Sequence, residues 1–305
     1  MSDLAHLPIV DVSGFSGDAE MRARVASDVH RALSESGFMY VRRHGIDSAL
    51  VRRAFAIASR FFSLPVERKN RFAYGSVDAN FGFQGIEGES LDPKNKPDLK
   101  EAFTMRNARA WAASAERWPD DEFRDMALEL YDASLAAAYR LLAILEASLA
   151  LPSDFFAKRH LGENVTLRFL HYPANLPSRS QDQLGAGAHT DYGSITLLFQ
   201  DDVGGLELLG ADGQWRFAPP VEDAVVINTG DLMERWTNGR LPSTVHRVRP
   251  ITGSRDRYSI ALFMDPDNAV QVECLPSCRA DSASACYEPI TAGEHIRQKI
   301  EATHG

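Results

Sequence analysis

The feature that most constrains the fold is a change in the pattern of apolar residues near Gly162. After this residue, short apolar segments alternate with turn-forming residues, whereas helical periodicity dominates the part before it. Asp212-Gly213 and Asn238-Gly239 can each supply the positive φ of a tight turn. Seven short strands separated by turns predict a β-sandwich or barrel. The predicted strands cover residues 165–172, 195–199, 206–209, 215–218, 224–228, 243–248 and 258–264.

The rest of the chain predicts helices that flank this β core. Helical spacing of apolar residues indicates helices over 17–35, 47–62, 119–149 and 292–302, with short strands at 7–12 and 38–41. The stretch 76–100 is rich in Gly, Asn, Asp and Pro and predicts a long loop. We therefore expect a mainly β protein with flanking helices, divided into a helical and strand N-terminal region (1–110), a support helix (111–160), a β core (161–275) and a C-terminal tail and helix (276–305).

Charge and composition exclude several functional classes. The chain has 33 basic and 42 acidic residues, a net charge of −9, which argues against phosphate-neutralising contact with nucleic acid. No run of 18 apolar residues predicts a membrane span, and the first residues lack the pattern of a secretory signal. Three cysteines, an odd and sparse number, fit a reduced compartment. We expect a cytoplasmic protein that needs no nucleic acid, membrane or obligatory protein partner.

The sharpest chemical pattern is a His-x-Asp pair followed by a distant histidine. His189 and Asp191 are two residues apart, a spacing that places both side chains on one face of a strand. With His246 they make the two-histidine, one-carboxylate facial triad of non-haem iron(II) oxygenases, which leaves coordination positions open for co-substrate and dioxygen. Zinc accepts the same ligands, so the triad alone leaves a zinc hydrolase open.

A second pattern predicts a carboxylate site. Arg257 and Ser259 alternate on one face of a predicted strand, eleven residues after His246. A guanidinium fork beside a hydroxyl suits a carboxylate. The 2-oxo acid end of 2-oxoglutarate can chelate iron while Arg257 and Ser259 hold its C5 carboxylate, with the Tyr172 hydroxyl as a third contact.

These motifs resemble the isopenicillin N synthase-like branch of the 2-oxoglutarate/iron(II)-dependent dioxygenases over nearly the whole chain. The resemblance implies a double-stranded β-helix, or jelly roll, with helices outside, iron at His189, Asp191 and His246, and 2-oxoglutarate at Arg257, Ser259 and Tyr172. The matching segments include Leu7-Pro-Ile-Val-Asp11, Arg43-His-Gly-Ile46, Leu170-His-Tyr-Pro173, His189-Thr-Asp-Tyr-Gly-Ser-Ile-Thr196, Asn228-Thr-Gly-Asp-Leu232, Ser243-Thr-Val-His-Arg-Val248 and Arg257-Tyr-Ser259.

The chain also departs from the family pattern. Leu170 stands where plant members often carry an asparagine, so it cannot repeat that amide contact to 2-oxoglutarate. The eponymous synthase uses its Arg-x-Ser for a substrate carboxylate and consumes no oxoglutarate. The motif therefore does not by itself establish the co-substrate.

The predicted function is an Fe(II)- and 2-oxoglutarate-dependent oxygenase that hydroxylates a small molecule with release of succinate and CO2. The alternatives are an oxoglutarate-independent, synthase-like oxidase and a non-catalytic metal- or metabolite-binding protein on the same scaffold. The sequence does not encode the substrate. Its predicted contacts are Arg168, for which structural pairing is the alternative, Phe263, for which core packing is the alternative, and Phe81 and Phe83 of the long loop.

Overall fold

The computed structural model describes residues 7–76, 78–92, 94–174, 176, 183–251, 253–279 and 286–304. Asp18, Asp47 and Asp120 cap three of the helices, because each carboxylate accepts a hydrogen bond from a backbone N–H of the first turn. The α-helices in these ranges are α1 (Ala19–Ser36), α2 (Ser48–Phe62), α3 (Val66–Lys69), α4 (Asp121–Ser148), α5 (Asp231–Trp236) and α6 (Ala292–His304).

The strands are short and most pair antiparallel. Only β1 and β2 pair in parallel among the pairings between described strands. The strands are β1 (Ile9–Asp11), β2 (Phe38–Arg42), β3 (Phe81–Gln84), β4 (Glu101–Arg106), β5 (Thr166–Tyr172), β6 (Ala186–His189), β7 (Ile195–Gln200), β8 (Leu206–Leu209), β9 (Trp215–Phe217), β10 (Ala224–Thr229), β11 (His246–Val248), β12 (Arg257–Met264), β13 (Gln271–Val272) and β14 (Ile290–Thr291).

Two sheets face each other and form the β core. The larger has the order β1-β2-β10-β7-β12-β5-β4-β3 and the smaller the order β6-β11-β8-β9, while β13 and β14 form a separate pair. Apolar side chains of β2 and β10 pack against those of β8, and side chains of β4, β5 and β12 pack against those of β6 and β11. Helices α1, α2 and α4 cover the outer face of the larger sheet with a continuous apolar core.

The alternation of side chains along β5 and β12 positions the site. Tyr172 lies opposite Arg257 in the register of these strands, and both side chains point into the space between the sheets. Their neighbours His171 and Tyr258 point to the opposite face, toward α2. This strand pair thus lines a cavity on one side and packs against the helical layer on the other.

The structure corrects several element assignments. The predicted loop 76–100 contains β3, and β4, β6 and α5 were not predicted. β4 lacks alternating hydrophobicity because it is buried on both faces and carries Glu101 and Thr104 at buried positions. The predicted strand 243–248 is a strand only over His246–Val248. Strands β1 to β4 join the core strands in one sheet, and the predicted domain boundaries stay a prediction. None of the helices in the described ranges combines the length and the apolar composition that a membrane span requires.

Candidate active site

Three potential metal ligands converge between the two sheets. His189 ends β6 and His246 begins β11, and the register of these strands places them directly opposite each other. Asp191 follows two residues after His189, and its Oδ1 lies 3.9 Å from His189 Nε2 and 3.7 Å from His246 Nε2. The three ligand atoms all lie within 4.8 Å of one another. The pairing of β6 with β11 therefore brings the distant histidine to the His-x-Asp pair.

Hydrogen bonds fix which nitrogen of each histidine is free. Nδ1 of His189 donates to the Gly187 carbonyl at 2.7 Å, and Nδ1 of His246 donates to the Thr244 carbonyl at 3.1 Å. Each Nε2 then carries a lone pair directed at the centre of the group. Burial and the neighbouring His246 lower the pKa of His189 to about 3. A neutral imidazole is the form that binds a metal ion.

The carboxylate of Asp191 is oriented in the same way. Its Oδ2 accepts hydrogen bonds from Thr196 Oγ1 at 2.5 Å and from Asn228 Nδ2 at 2.7 Å. These bonds leave Oδ1 facing the two histidines. Thr196 was not predicted from the sequence as a partner of Asp191. Its place on β7, paired directly with Asn228 of β10, was the signal that could have identified it.

The donor set fits a divalent transition metal. Two neutral imidazole nitrogens and one carboxylate oxygen converge from one side, and none of the three atoms is used by a protein hydrogen bond among the described residues. Such a face leaves positions open for exogenous ligands. The geometry by itself suits iron(II) and zinc equally.

Arg257 presents a buried cation to the same cavity. Its side chain is 1% exposed, and the guanidinium donates to Ser259 Oγ at 3.2 Å and to Gln200 Oε1 at 3.4 Å. The Tyr172 ring packs on it, with the guanidinium carbon 4.5 Å from the ring centroid. Its Nε is buried without a hydrogen-bond partner, and no ion pair within the described residues includes Arg257. A buried charge whose hydrogen-bond partners are all neutral is costly, so the site is suited to an anionic ligand.

The comparisons with known proteins decide the family. Residues 164–266 match the 2OG-Fe(II) oxygenase superfamily, and residues 7–122 match the non-haem dioxygenase in morphine synthesis N-terminal family. The chain is 35% identical over 318 residues to the 2-oxoglutarate-Fe(II) type oxidoreductase hxnY of Emericella nidulans, and the match spans 98% of this chain and 90% of that protein. The chain belongs to the 2OG-Fe(II) oxygenase superfamily. The predicted family, enzyme class and cofactors, Fe(II) and 2-oxoglutarate, are confirmed.

Other members of this superfamily match over the same length. The homoarginine-6-hydroxylase 2-ODD-233 of Oryza sativa subsp. japonica is 31% identical, with 98% of each chain covered. The crystal structure of a full-length Neurospora crassa protein in complex with alpha-KG and thymine superimposes with a TM-score of 0.86 at 28% identity, and the match covers 99% of this chain and 98% of that one. These matches confirm the predicted double-stranded β-helix.

The 2OG-Fe(II) oxygenase cavity brings most of the predicted site residues together. His189, Asp191, His246, Arg257 and Ser259 line one cavity of about 150 Å³. Tyr172 lines it too, beside Arg257, although its contact with an oxoglutarate carboxylate stays a prediction. The same cavity is lined by Arg168 and Phe263, the first two predicted substrate contacts.

Phe81 and Phe83 do not line this cavity. Both are 2% exposed and lie within the aromatic core under the helices, where Phe83 packs edge-on against Phe61, and Phe81 against Phe103 and Trp118. Residues 81–84 form a strand, and its alternation turns Gln84 toward the cavity and these two rings away from it. The prediction that they contact substrate is corrected on this ground.

This 2OG-Fe(II) oxygenase contains a group of largely buried charges, of which the sequence predicted only a structural pairing of Arg168, as an alternative role. The Arg168 guanidinium donates to Glu89 at 3.1 Å and through Nε to Thr104 at 3.1 Å. Lys100 pairs with Glu89 at 3.0 Å and with Asp98. Burial opposes ionisation of Glu89, but Arg168 and Lys100 outweigh it and hold the pKa of this carboxyl far below its ordinary value. Glu89 and Asp98 were missed because they lie in the segment predicted as a loop, where acidic residues are common on the surface.

Proposed function

We propose that this chain hydroxylates a small molecule, with iron(II) held by His189, Asp191 and His246 and the C5 carboxylate of 2-oxoglutarate held by Arg257 and Ser259. The observation that carries these assignments is the buried Arg257 guanidinium. It has no carboxylate partner among the described residues, and it lines the same cavity as three unused metal-ligand atoms. A dicarboxylate that chelates a metal through its 2-oxo acid end satisfies both groups at once.

Iron, when bound, supplies the redox chemistry by which dioxygen oxidises 2-oxoglutarate to succinate and CO2 and inserts its second oxygen atom into a substrate C–H bond. The chain positions the reactants. Thr196 and Asn228 hold the Asp191 carboxylate in one orientation, and the Gly187 and Thr244 carbonyls hold the two imidazole rings. Ser259 and Gln200 orient the Arg257 guanidinium from its two ends.

The shape of the cavity supports a small substrate. Ile296 and Ile300 of α6 line it on one side, and Lys299 ties this helix to Asp231 at 2.7 Å. Asp231 begins α5, and its backbone N–H donates to the Asp191 carbonyl at 2.8 Å. The C-terminal helix thereby forms one apolar wall of the cavity. Two relatives, one named for homoarginine hydroxylation and one solved with thymine, also act on or bind small molecules.

The role of Arg168 in this function is that of a cavity wall. Its bidentate pair with Glu89 neutralises it, so it offers directed N–H groups rather than an unbalanced charge. Phe263 lies on the neighbouring strand, two residues beyond Ala261, which pairs with Arg168. We propose that this polar and aromatic pair contacts the primary substrate.

The test is substrate-dependent decarboxylation of 2-oxoglutarate. The protein is loaded with Fe(II) and 2-oxoglutarate without oxygen, mixed with a panel of amino acids and nucleobases, and started with air. We expect succinate and hydroxylated product in equal amounts, with none from Asp191→Ala. Substrate oxidation without succinate would instead establish the synthase-like oxidase. Binding of iron without any substrate-dependent turnover of a broad metabolite panel would favour the non-catalytic alternative.

A further inference from the structure

The two strands that carry the proposed 2-oxoglutarate site also carry polar residues at their opposite ends. On β12, the alternation that turns Arg257 into the cavity continues to Asp265, the residue after the strand. On β5, the same alternation runs from Tyr172 back to Asn164, just before the strand. The antiparallel register of β5 and β12, continued past its last pair, places Asp265 opposite Asn164. We call Asp265 and Asn164 the acceptor pair.

The carboxylate of Asp265 has neither a hydrogen bond nor an ion pair in the part of the chain that the structure describes. It packs against Gly193, where a Cβ atom would collide with Oδ1 of Asp265. Burial and the nearby Asp191 carboxylate raise the pKa of the Asp265 carboxyl to about 8. The Arg106 guanidinium opposes this shift, but it donates its hydrogen bond to the Asp78 carbonyl. An unpaired carboxylate is therefore unfavourable here, and a bound cation stabilises its ionised form.

Asn164 adds a buried acceptor with a fixed orientation. Its side chain is 2% exposed, and its Nδ2 donates to the Pro266 carbonyl and to Asn268 Oδ1, both at 2.8 Å. The Asn268 amide is itself fixed, because its Nδ2 donates to Glu163 Oε1 at 2.7 Å. A flipped Asn164 amide would lose both bonds, so its Oδ1 is the acceptor that remains, buried without a hydrogen-bond partner. Unused acceptor oxygens therefore lie on both strands at this end of the cavity.

The acceptor pair adjoins both apolar side chains and the metal ligands. Phe263 lies on the same face of β12, and Ile296 of α6 lines the same cavity. In the register of β12 and β7, Phe263 pairs with Thr196, the residue that donates to the Asp191 carboxylate. A ligand whose polar end binds the acceptor pair therefore places its apolar part between these side chains, beside the metal ligands.

The acceptor pair is too far from Arg257 to belong to the 2-oxoglutarate site. Asp265 follows Arg257 by eight positions, roughly 26 Å along an extended strand. 2-Oxoglutarate is shorter than this distance, and its ionised carboxylates and 2-oxo group only accept hydrogen bonds, whereas the acceptor pair needs a donor. A different ligand must therefore supply that donor.

We propose that the acceptor pair selects the primary substrate, and that this substrate carries a protonated nitrogen, an amine or a guanidine, at the end of a short apolar chain. The inference rests on the proposed function, because it names the substrate class of the same cavity. The Asp265 carboxylate pairs with the cation, and Asn164 Oδ1 accepts one of its N–H groups. A cation with two or more N–H donors satisfies both acceptors at once. Phe263 and Ile296 contact the apolar chain.

The test compares probes that differ mainly in charge. n-Butylamine and butylguanidine are titrated by calorimetry into the oxygen-free protein loaded with Fe(II) and 2-oxoglutarate, and n-butanol serves as the neutral probe of the same chain length. We expect wild type to bind the cationic probes about tenfold or more tightly than the alcohol, the effect of a hydrogen bond to a charged group. 2-Oxoglutarate affinity is measured separately on the same preparations.

The decisive variant is Asp265→Asn, because it removes the charge and keeps the size of the side chain. The preference for the cationic probes should disappear, while iron content and 2-oxoglutarate affinity remain those of wild type. The unfolding free energy of the ligand-free variant should not fall, since the Asp265 carboxylate has no partner to lose among the residues described. Asp202→Asn, which removes an exposed carboxylate paired with Arg255, should retain the preference.

Several results would overturn the inference and leave the proposed function intact. Equal binding of n-butylamine and n-butanol by wild type, or no binding of either cationic probe, would show that the cavity does not select a cation. An unchanged preference in Asp265→Asn would place the cation away from the acceptor pair. A marked loss of unfolding free energy in this variant would show that the fold already pairs the carboxylate. Failure of wild type to bind 2-oxoglutarate would instead overturn the proposed function, and this inference with it.

Discussion

Two walls of one cavity differ in whether their charged side chains are paired within the protein. The first, which we call the ligand wall, consists of His189, Asp191, His246 and Arg257. The second, the ion-pair wall, consists of Glu89, Lys100 and Arg168, which line the cavity, together with Asp98, which pairs with Lys100. Each contains an arginine on a strand of the same sheet. The Arg168 side chain is 14% exposed and lies against a carboxylate at 3.1 Å, whereas the hydrogen-bond partners of the buried Arg257 among the described residues are all neutral.

The difference separates charges that are paired within the protein from groups that, in the proposed function, bind the metal and 2-oxoglutarate. In the ion-pair wall, two cations and two anions balance one another, so the wall presents polarity without net charge. In the ligand wall, the hydrogen bonds orient the two histidines and Asp191 and leave the atoms that face one another unused. Changes in the ion-pair wall should therefore affect folding first, and changes in the ligand wall should affect binding first. The following predictions test that division.

The largest effect is expected at the metal ligands. His189→Ala, Asp191→Ala and His246→Ala should each abolish iron binding and turnover, because each removes one of the three proposed protein ligands. Metal analysis and thermal unfolding of the same samples check both halves of the expectation, loss of iron and retention of the fold. Asp212→Ala, an exposed carboxylate paired with Arg216, serves as the control. Normal iron content in any ligand variant would remove that residue from the site.

The next largest effect is expected in the ion-pair wall. Glu89→Gln leaves Arg168 without its charged partner and Lys100 with Asp98 alone, and breaking such a buried pair costs about 3–5 kcal/mol of unfolding free energy. Denaturant unfolding measures it. Glu122→Gln, which removes an exposed partner of Arg60, should cost less than about 1 kcal/mol. Equal losses in the two variants would contradict the distinction between a buried and an exposed pair.

Comparison of wild type with Glu89→Gln also tests a predicted pH dependence of the unfolding free energy. The pKa of Glu89 is lowered in the folded protein, so its ionised form stabilises the fold at pH values above its ordinary pKa of 4.5. That contribution is lost progressively as the pH falls below 4.5 toward the folded pKa. Wild type should therefore lose stability on acidification more steeply than Glu89→Gln. Parallel curves for the two proteins between about pH 6 and pH 3 would show that Glu89 is not held ionised.

The two walls also differ in how well the sequence predicts them. The ligand wall was predicted residue by residue, because a metal site restricts residue type and spacing, and the alternation of a strand carries those restrictions directly. His189, Asp191 and His246 meet as expected, and Arg257 and Ser259 share one face of β12. Family resemblance added the fold that brings His246 back to the first histidine.

For the ion-pair wall, the sequence predicted only a structural pairing of Arg168, as an alternative role, and the partners of Arg168 were not predicted because nothing local marks them. Glu89 and Asp98 lie in a stretch rich in glycine, proline and acidic residues, a composition typical of exposed loops, and only the register of β4 against β5 brings Lys100 and Arg168 together around them. The prediction that Phe81 and Phe83 contact substrate was wrong for a related reason. The side of a sheet toward which an aromatic side chain points depends on how its strand pairs with its neighbours. The partner of a charged side chain, and the direction in which a strand residue points, depend on tertiary contacts. The spacing of residues in the sequence does not encode these contacts.

Loss of Arg257, the arginine of the ligand wall, should have a smaller effect than loss of a metal ligand. Arg257→Ala removes a desolvated, charge-assisted contact worth about 2–5 kcal/mol, so 2-oxoglutarate affinity should fall about 30-fold or more. Iron content should remain normal, and the unfolding free energy should not fall as it does in Glu89→Gln, because no protein carboxylate loses its partner. Arg257→Lys should restore affinity only partly, since an ammonium lacks the fork. Weakened binding of the primary substrate with unchanged oxoglutarate affinity would favour the synthase-like oxidase.

The smallest effect is expected for Ser259→Ala. The Ser259 hydroxyl accepts from Arg257 Nη1 at 3.2 Å, so its own proton is available to a carboxylate held by the same guanidinium. A hydrogen bond of this kind contributes about 1 kcal/mol, and more when the acceptor is charged, so oxoglutarate affinity should fall between about threefold and tenfold. Calorimetry on the Fe(II)-loaded protein without oxygen measures this loss of affinity.

If the Arg257 and Ser259 side chains bind one carboxylate together, the double variant should lose less binding free energy than the sum of the two single losses, because the hydroxyl has no positioned ligand once the cation is gone. Strictly additive losses would place the two side chains on different ligand groups, and Arg257 would then bind the carboxylate of 2-oxoglutarate without the serine.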